Sequence, residues 1–314
     1  MRRVPLVMLV LLLPVPGAAQ PAETADIPRT PWGRPALTGV WTNSSLTPLE
    51  RPDEYGDREL HTADELVELQ RTAVQRRIDA LRGPEAILAV EFSEIWMEPG
   101  ALSGRTSLIT GPTGKIPPYT PEAEERLADG LRQPMTQRAD SHDDRGYSER
   151  CLRFVTGGPP MMAFPFAPLV QIVQTPDHVV IQTEENHETR IVHLDDRPHV
   201  DPRIRLWRGD SRGRWEGDTL VIETTNFNGM GGFRNSGPEL HLTERLTRVD
   251  ADTILYGFTA DDPGTWTEPW SAEMPLRVSP APTYEHACHE GNYTLPLVLS
   301  GARAQERRAE EGAR

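Results

Sequence analysis

Hydrophobic and polar positions alternate with a period of two through the second half of the chain, and that rhythm predicts a succession of β-strands. Residues 169–174, 179–185 and 187–194 form three consecutive runs, with Pro176-Asp177 and Glu185-Asn186 at the breaks between them. Shorter runs at 205–207 and 213–215 precede Glu216-Gly217-Asp218, which turns directly into 219–225. Further runs occupy 240–249, 253–259, 266–274 and 284–290, and Asp250-Ala251-Asp252 joins the first two. So many strands with short connections and no interleaved long helices favour an antiparallel arrangement over any βαβ design. They predict a mainly-β antiparallel meander that closes into a lipocalin-like barrel. A β-sandwich is the alternative arrangement of the same strands. Closure would remove exposed strand edges, and a barrel of this size has an interior the width of one small ligand.

The first half reads differently. Residues 20–60 are rich in Pro and Thr and predict an extended arm that lies along the body through 37–41. Thr62 and Glu65 make a capping box, and Leu66, Leu69, Ala73, Val74, Ile78 and Leu81 recur at helical spacing. One long N-terminal helix is expected there, stopped by Gly83-Pro84. Imperfect alternation suggests strands at 86–97 and 102–109, Pro121 opens a short helix over 122–131, and 138–150 reads as loop. The apolar stretch 161–166 is interrupted by Pro165 and is unsuited to a central strand. The organisation that follows is a signal peptide at 1–19, the arm at 20–60, and a helix and loop region at 61–150. A barrel core at 151–300 and a polar tail at 301–314 complete it.

The signal assignment rests on Arg2 and Arg3 ahead of an apolar run at 4–15, followed by the small residues Gly17, Ala18 and Ala19. That run is too short to span a bilayer, so no integral membrane association is expected. Export places the protein in the periplasm or outside the cell, where Cys151 and Cys288 favour one disulfide over two free thiols. A formal net charge of -14 repels nucleic acid and anionic lipid, leaving a small molecule as the expected partner.

Strand parity nominates the chemistry. Along 240–249, Leu240, Leu242, Glu244 and Leu246 share a face, so Glu244 interrupts an apolar surface and must be paired, hydrogen-bonded or protonated. An ion pair with Arg190 or Arg214 is its structural explanation. Along 179–185, Glu185 shares a face with Val179, Ile181 and Thr183, and His187 follows it unless a turn at Asn186 breaks the phase. Read as a strand, 284–290 places Tyr284, His286, Cys288 and Glu290 on one face and His289 on the other.

These positions yield an acid–base set of His286, His289, Glu244 and Glu290, in which an imidazole moves protons while a carboxylate orients it. Glu185, His187, Arg190, Trp207, Arg214 and Tyr284 make up the expected substrate-binding set. The structural explanation for the histidines is a barrel-edge cap and a solvated ring. No cofactor is expected, because His286-x-x-His289 on a strand sends its rings to opposite faces; zinc or iron is the alternative. Asp210-Ser211 reads as a turn rather than as the elbow of a serine hydrolase.

Three stretches carry a resemblance. One runs from Trp207-Arg208-Gly209-Asp210-Ser211 to Trp215-Glu216-Gly217-Asp218, one joins Asp261-Asp262-Pro263 to 266–270, and one is Tyr284-Glu285-His286-Ala287-Cys288-His289-Glu290-Gly291-Asn292-Tyr293. Together, over about 151–306, they resemble a widespread family of secreted bacterial proteins of unassigned function, which implies export but no catalytic residues. The expected function is an exported, cofactor-independent lyase, hydratase, isomerase or hydrolase acting on a small aromatic or glycosidic compound. The alternative is a small-molecule-binding protein of the cell envelope that uses the same cavity without turnover.

Overall fold

A nine-stave β-barrel forms the body of the computed structural model, which describes residues 27–80, 100–132, 139–152, 158–163, 168–230 and 233–312. Its strands are β1 (Gly39–Thr42), β2 (Ile109–Thr110), β3 (Leu169–Gln174), β4 (His178–Thr183), β5 (Thr189–His193) and β6 (Asp210–Glu216). β7 (Thr219–Thr225), β8 (His241–Arg248), β9 (Thr253–Asp261) and β10 (Trp270–Val278) follow. The order is β1-β3-β4-β5-β6-β7-β8-β9-β10-β2, and a further β1–β10 pairing closes the ring. All neighbours are antiparallel except β5 and β6, which meet in parallel at His193 and Arg212. The closed barrel excludes the sandwich.

Closure comes from the segment read as an external arm. β1 pairs along its whole length with β3, while Trp41 and Thr42 also face Val278 and Arg277 of β10. Residues 37–41 are therefore part of the barrel, with Leu37 and Trp41 in its core. The remaining edge of β10 takes the two residues of β2 at Ser271 and Ala272.

The inward rows follow the period-two pattern. Val179, Ile181 and Thr183 of β4, Leu242, Glu244 and Leu246 of β8, and Ile254, Tyr256 and Phe258 of β9 are all buried. Large side chains, Trp41, Tyr256, Phe258 and Met274 among them, fill the interior as one apolar cluster. Each such side chain contributes roughly 1.5–3 kcal/mol of transfer free energy.

Several boundaries differ from the sequence expectation, each for a local reason. β10 begins at Trp270 rather than at 266. Asp262 folds the chain into a turn there, with its carbonyl accepting from Thr265 N (2.8 Å) and Trp266 N (2.9 Å). Residues 205–207 form no strand and make one isolated bridge, Leu206 to Phe227, whereas β6 starts early enough to include Asp210 and Ser211. The run at 102–109 is irregular until Ile109, and 86–97 lies outside the described residues. Residues 284–290 are not a strand. Cys288 N donates to His286 O (2.8 Å) and Glu290 N to Ala287 O (3.0 Å), so this alternating stretch has local turns instead of a ladder partner.

Helix α1 (Ala63–Ala80) starts where the capping box predicts: Glu65 N donates to Thr62 Oγ1 (3.3 Å) and Thr62 N to Glu65 Oε2 (2.8 Å). Bonds from Arg58 and Thr62 hold the Glu65 carboxyl down to about 2. The expected stop at Gly83-Pro84 lies outside the described residues. Helix α2 (Pro121–Arg132) is as expected. The longest helix is instead C-terminal: α3 (Thr294–Gly312) has 19 residues, begins ahead of the polar tail and takes in most of it, anchored by Arg303 to the carbonyls of Ala139 (2.9 Å) and Asp140 (3.0 Å). Among the described residues no helix is long and apolar enough to cross a membrane. Cys151 and Cys288 are disulfide-bonded across a sequence separation of 137, fastening 284–293 to the body.

Candidate functional site

The inward carboxylate is paired across the barrel. Glu244 of β8 is 0% exposed and forms a bidentate pair with Arg190 of β5, from which β6 and β7 separate it around the wall. Tyr256 of β9 lies beside it because Leu246 is its register partner, and its hydroxyl donates to Glu244 Oε1 at 2.8 Å while accepting Met161 N–H at 3.0 Å. Burial works to lower the Arg190 pKa, but the charge of Glu244 and its hydrogen bonds outweigh it, so the guanidinium is held charged. Burial, reinforced by the same carboxylate, pushes the Tyr256 phenol well above its ordinary range and keeps it a donor. The recess beside this group, lined by Met161, Thr183, Glu188, Arg190 and Arg208, offers about 20 Å³ to the centre of a water molecule. That is room for water and not for a substrate. Glu244 and Arg190 thus make the structural pair.

The 284–290 segment meets the barrel elsewhere. Asn186 N donates to His286 Nδ1 at 2.8 Å, which requires a bare Nδ1, and burial followed by the charge of His187 lowers the His286 pKa. Asn186 and His187 both have positive φ (58° and 51°), breaking the β4 parity just where the Glu185–His187 turn begins. Glu185 is buried in that turn, His187 is half-buried, and Tyr284 is exposed with its amide donating to Glu184 Oε1 at 3.1 Å. His289 and Glu290 are exposed on the following turn. Trp207 packs edge-on against Tyr147 at 5.4 Å, and Arg214 is exposed on the outer wall, bound to Glu216 and Glu223. His286 and His187 are brought close. No hydrogen bond or ion pair joins Glu244 to His286, His289 or Glu290 among the described residues.

A histidine–carboxylate pair does exist, between residues outside the predicted set. His199 lies in the loop from β5 to β6, and Asp210 is the first residue of β6. Their side chains meet at 2.8 Å through Nδ1 and Oδ2. Val200 N donates to the same oxygen at 3.2 Å, and Arg212 meets Oδ1 at 2.9 Å. The loop is held in place by Asn226, whose amide nitrogen donates to the carbonyls of Val200 (3.1 Å), Asp201 (3.2 Å) and Ile204 (3.2 Å). Because an ionised carboxylate only accepts, the proton of this bond is on Nδ1, and in the neutral tautomer this selects the lone pair is on Nε2. Nε2 has no protein partner among the described residues.

His199 lines an open groove of about 500 Å³, together with Arg205, Thr225, Glu239 and His241 among others. A base oriented through its far nitrogen, beside space for a small molecule, can take and return a proton. Periodicity could not find this pair, because one member sits on an irregular loop and the other at a strand end that reads as a turn. Among the described residues no group of three or more His, Cys, Asp or Glu side chains has a geometry that could hold a metal ion. Comparison with family profiles, with curated proteins and with solved structures found no match.

Proposed function

We propose that the protein is an exported acid–base enzyme working at the His199 groove, with His199 as the proton-transferring residue and Asp210 as its positioning carboxylate. The observation that carries this reading is the 2.8 Å bond from Nδ1 to a carboxylate that is itself fixed by Val200 N and Arg212, in a histidine that lines the groove and whose Nε2 has no protein partner among the described residues. No serine or cysteine is hydrogen-bonded to His199 among the described residues, so the reading is direct activation rather than a covalent intermediate. His199 Nε2 takes the proton of a water molecule or of an acidic C–H or O–H of the substrate, and the imidazolium returns it to the leaving group or to a neighbouring carbon. A hydrolase or lyase acting on a small aromatic or glycosidic compound fits this chemistry. The lipocalin-like interior has no part in it, since the lumen is packed and the groove lies outside it. The disulfide and the Arg2-Arg3 and apolar pattern support export, and with it the resemblance to secreted bacterial proteins.

The test is turnover of a panel of p-nitrophenyl esters and glycosides by the wild type, His199→Gln and Asp210→Asn. General acid–base catalysis predicts a loss of about 100-fold or more in kcat for His199→Gln, with KM little changed. Turnover that survives His199→Gln undiminished overturns the assignment. Saturable ligand binding without turnover by any member of the panel favours the alternative of a small-molecule-binding protein.

A further inference from the structure

Two histidines outside the proposed site face each other on the outer wall of the barrel. His178 opens β4 and His193 ends β5, and they are register partners across that antiparallel pair. Their neighbours Val179 and Val192 are 0% exposed in the core, so strand parity turns both imidazoles outward. Directly opposed residues hold their Cβ atoms about 4.5–5.5 Å apart. Here the ring centres are 4.8 Å apart, with the planes at 65°. The backbone around the pair is pinned: Thr175 N donates to His178 O (2.9 Å), His178 N to Thr175 Oγ1 (3.0 Å), and Leu194 N to Asp177 O (2.9 Å). Neither ring has a hydrogen-bond or ionic partner among the described residues. His193 Nδ1 is cut off from solvent, whereas His193 Nε2 and both nitrogens of His178 stay open to it.

Two adjacent imidazoles with unused nitrogens select a late transition metal over a hard cation such as calcium or magnesium. With metal–nitrogen bonds of about 2.0–2.1 Å, two imidazoles on one ion place their ring centres about 4.5 Å apart at a right angle and about 5.2 Å apart at the tetrahedral angle. The observed 4.8 Å lies between the two, so small rotations bring one accessible nitrogen of each ring onto a shared ion. Electrostatics permits it. The guanidiniums near His193 are already neutralised, Arg197 by Asp195 and Arg212 by Asp210 (2.9 Å). Burial, followed by the charges of Arg197, Arg212 and His178, lowers the His193 pKa, which favours the neutral ring that a metal requires. Two protein donors leave the other coordination positions to water, and copper(II) outranks nickel and zinc at nitrogen sites of this kind.

We propose that His178 and His193 together bind one divalent late-transition-metal ion on the outer wall, copper(II) most tightly, with water completing the coordination. The proposal stands apart from the catalytic reading of His199, because it uses neither that residue nor its groove. The probe is glycine-buffered Cu2+ added to the untagged, metal-free protein, read by calorimetry and by electron paramagnetic resonance. One equivalent is expected to bind, with nitrogen coupling from two imidazoles. His178→Ala and His193→Ala should each weaken binding by about tenfold or more, at least what loss of a partner behind a metal ligand costs, and reduce the coupling to one imidazole. His199→Gln should leave both readouts unchanged. Melting of the metal-free variants separates loss of the site from loss of the fold, and His178→Asn with His193→Asn replaces any alanine variant that does not fold. The proposal is overturned if the wild type binds no copper, if the variant lacking both histidines still binds one equivalent with the same spectrum, or if His199→Gln removes the binding instead.

Discussion

Removing Arg190 while leaving Glu244 in place should be among the most damaging single changes in this barrel. The carboxylate is 0% exposed and Arg190 only 10%, so Arg190→Ala strands a charge whose one remaining donor among the described residues is the Tyr256 hydroxyl. Breaking a buried pair from one side costs about 3–5 kcal/mol. At about 2–4 °C per kcal/mol for a domain of this size, Tm should fall by roughly 6–20 °C. Glu244→Leu should cost a similar amount by stranding the guanidinium. The double variant Arg190→Met, Glu244→Leu removes both charges and supplies apolar volume to a lumen already lined by Ile181, Leu242 and Leu246. It loses the acceptor for Tyr256, worth about 1 kcal/mol, but strands no ion. Urea titration followed by tryptophan fluorescence of the four proteins closes the cycle. The double variant should be more stable than either single one, with a coupling of several kcal/mol. Additive losses, or single losses below about 1 kcal/mol, would refute the claim that this pair is desolvated and structural.

Three further outcomes follow from the same geometry. Tyr256→Phe removes the donor to Glu244 and the acceptor for Met161 N–H, so it should cost about 1–3 kcal/mol and speed hydrogen exchange at the Met161 amide; unchanged exchange would count against that bond. Cys288→Ser releases a cross-link over 137 residues, for which chain entropy allows about 5 kcal/mol. Because no stave of the barrel comes from 284–293, limited proteolysis should cut there first while barrel fluorescence persists, and simultaneous loss of both would contradict it. The His286 pKa is lowered by burial and then by His187, against a smaller opposing pull from Glu184, so its neutral form is the stabilising one. That stabilisation is complete above the unfolded value of about 6.5 and is lost as pH falls through the lower folded value. The Asn186 amide resonance should therefore titrate in acid and stop doing so in His286→Phe, and a pH-independent resonance in the wild type would count against the bond.

Alternation along 179–185, 219–225, 240–249 and 253–259 was enough to mark strands and to set their faces, because side-chain parity is a property of the strand itself. It pointed Glu244 inward and demanded a partner for it, and it named Arg190 among the choices. The same rule misread 284–290. That segment alternates but finds no neighbour to pair with, and a strand exists only through its ladder. The 266–274 run began four residues early because the side chain of Asp262, which bonds the turn around it, leaves no trace in hydropathy.

The chain alone determined a mainly-β antiparallel meander, its inward polar position and the feasibility of one disulfide, since each depends on local periodicity or on a count of residue types. Tertiary structure decided the rest. It drew residues 39–42 into the wall, separated Glu244 from His286 and Glu290, and joined His199 to Asp210 beside an open groove. Those outcomes depend on which distant segments share space, and that is set by ring closure and loop packing, neither of which has a sequence period.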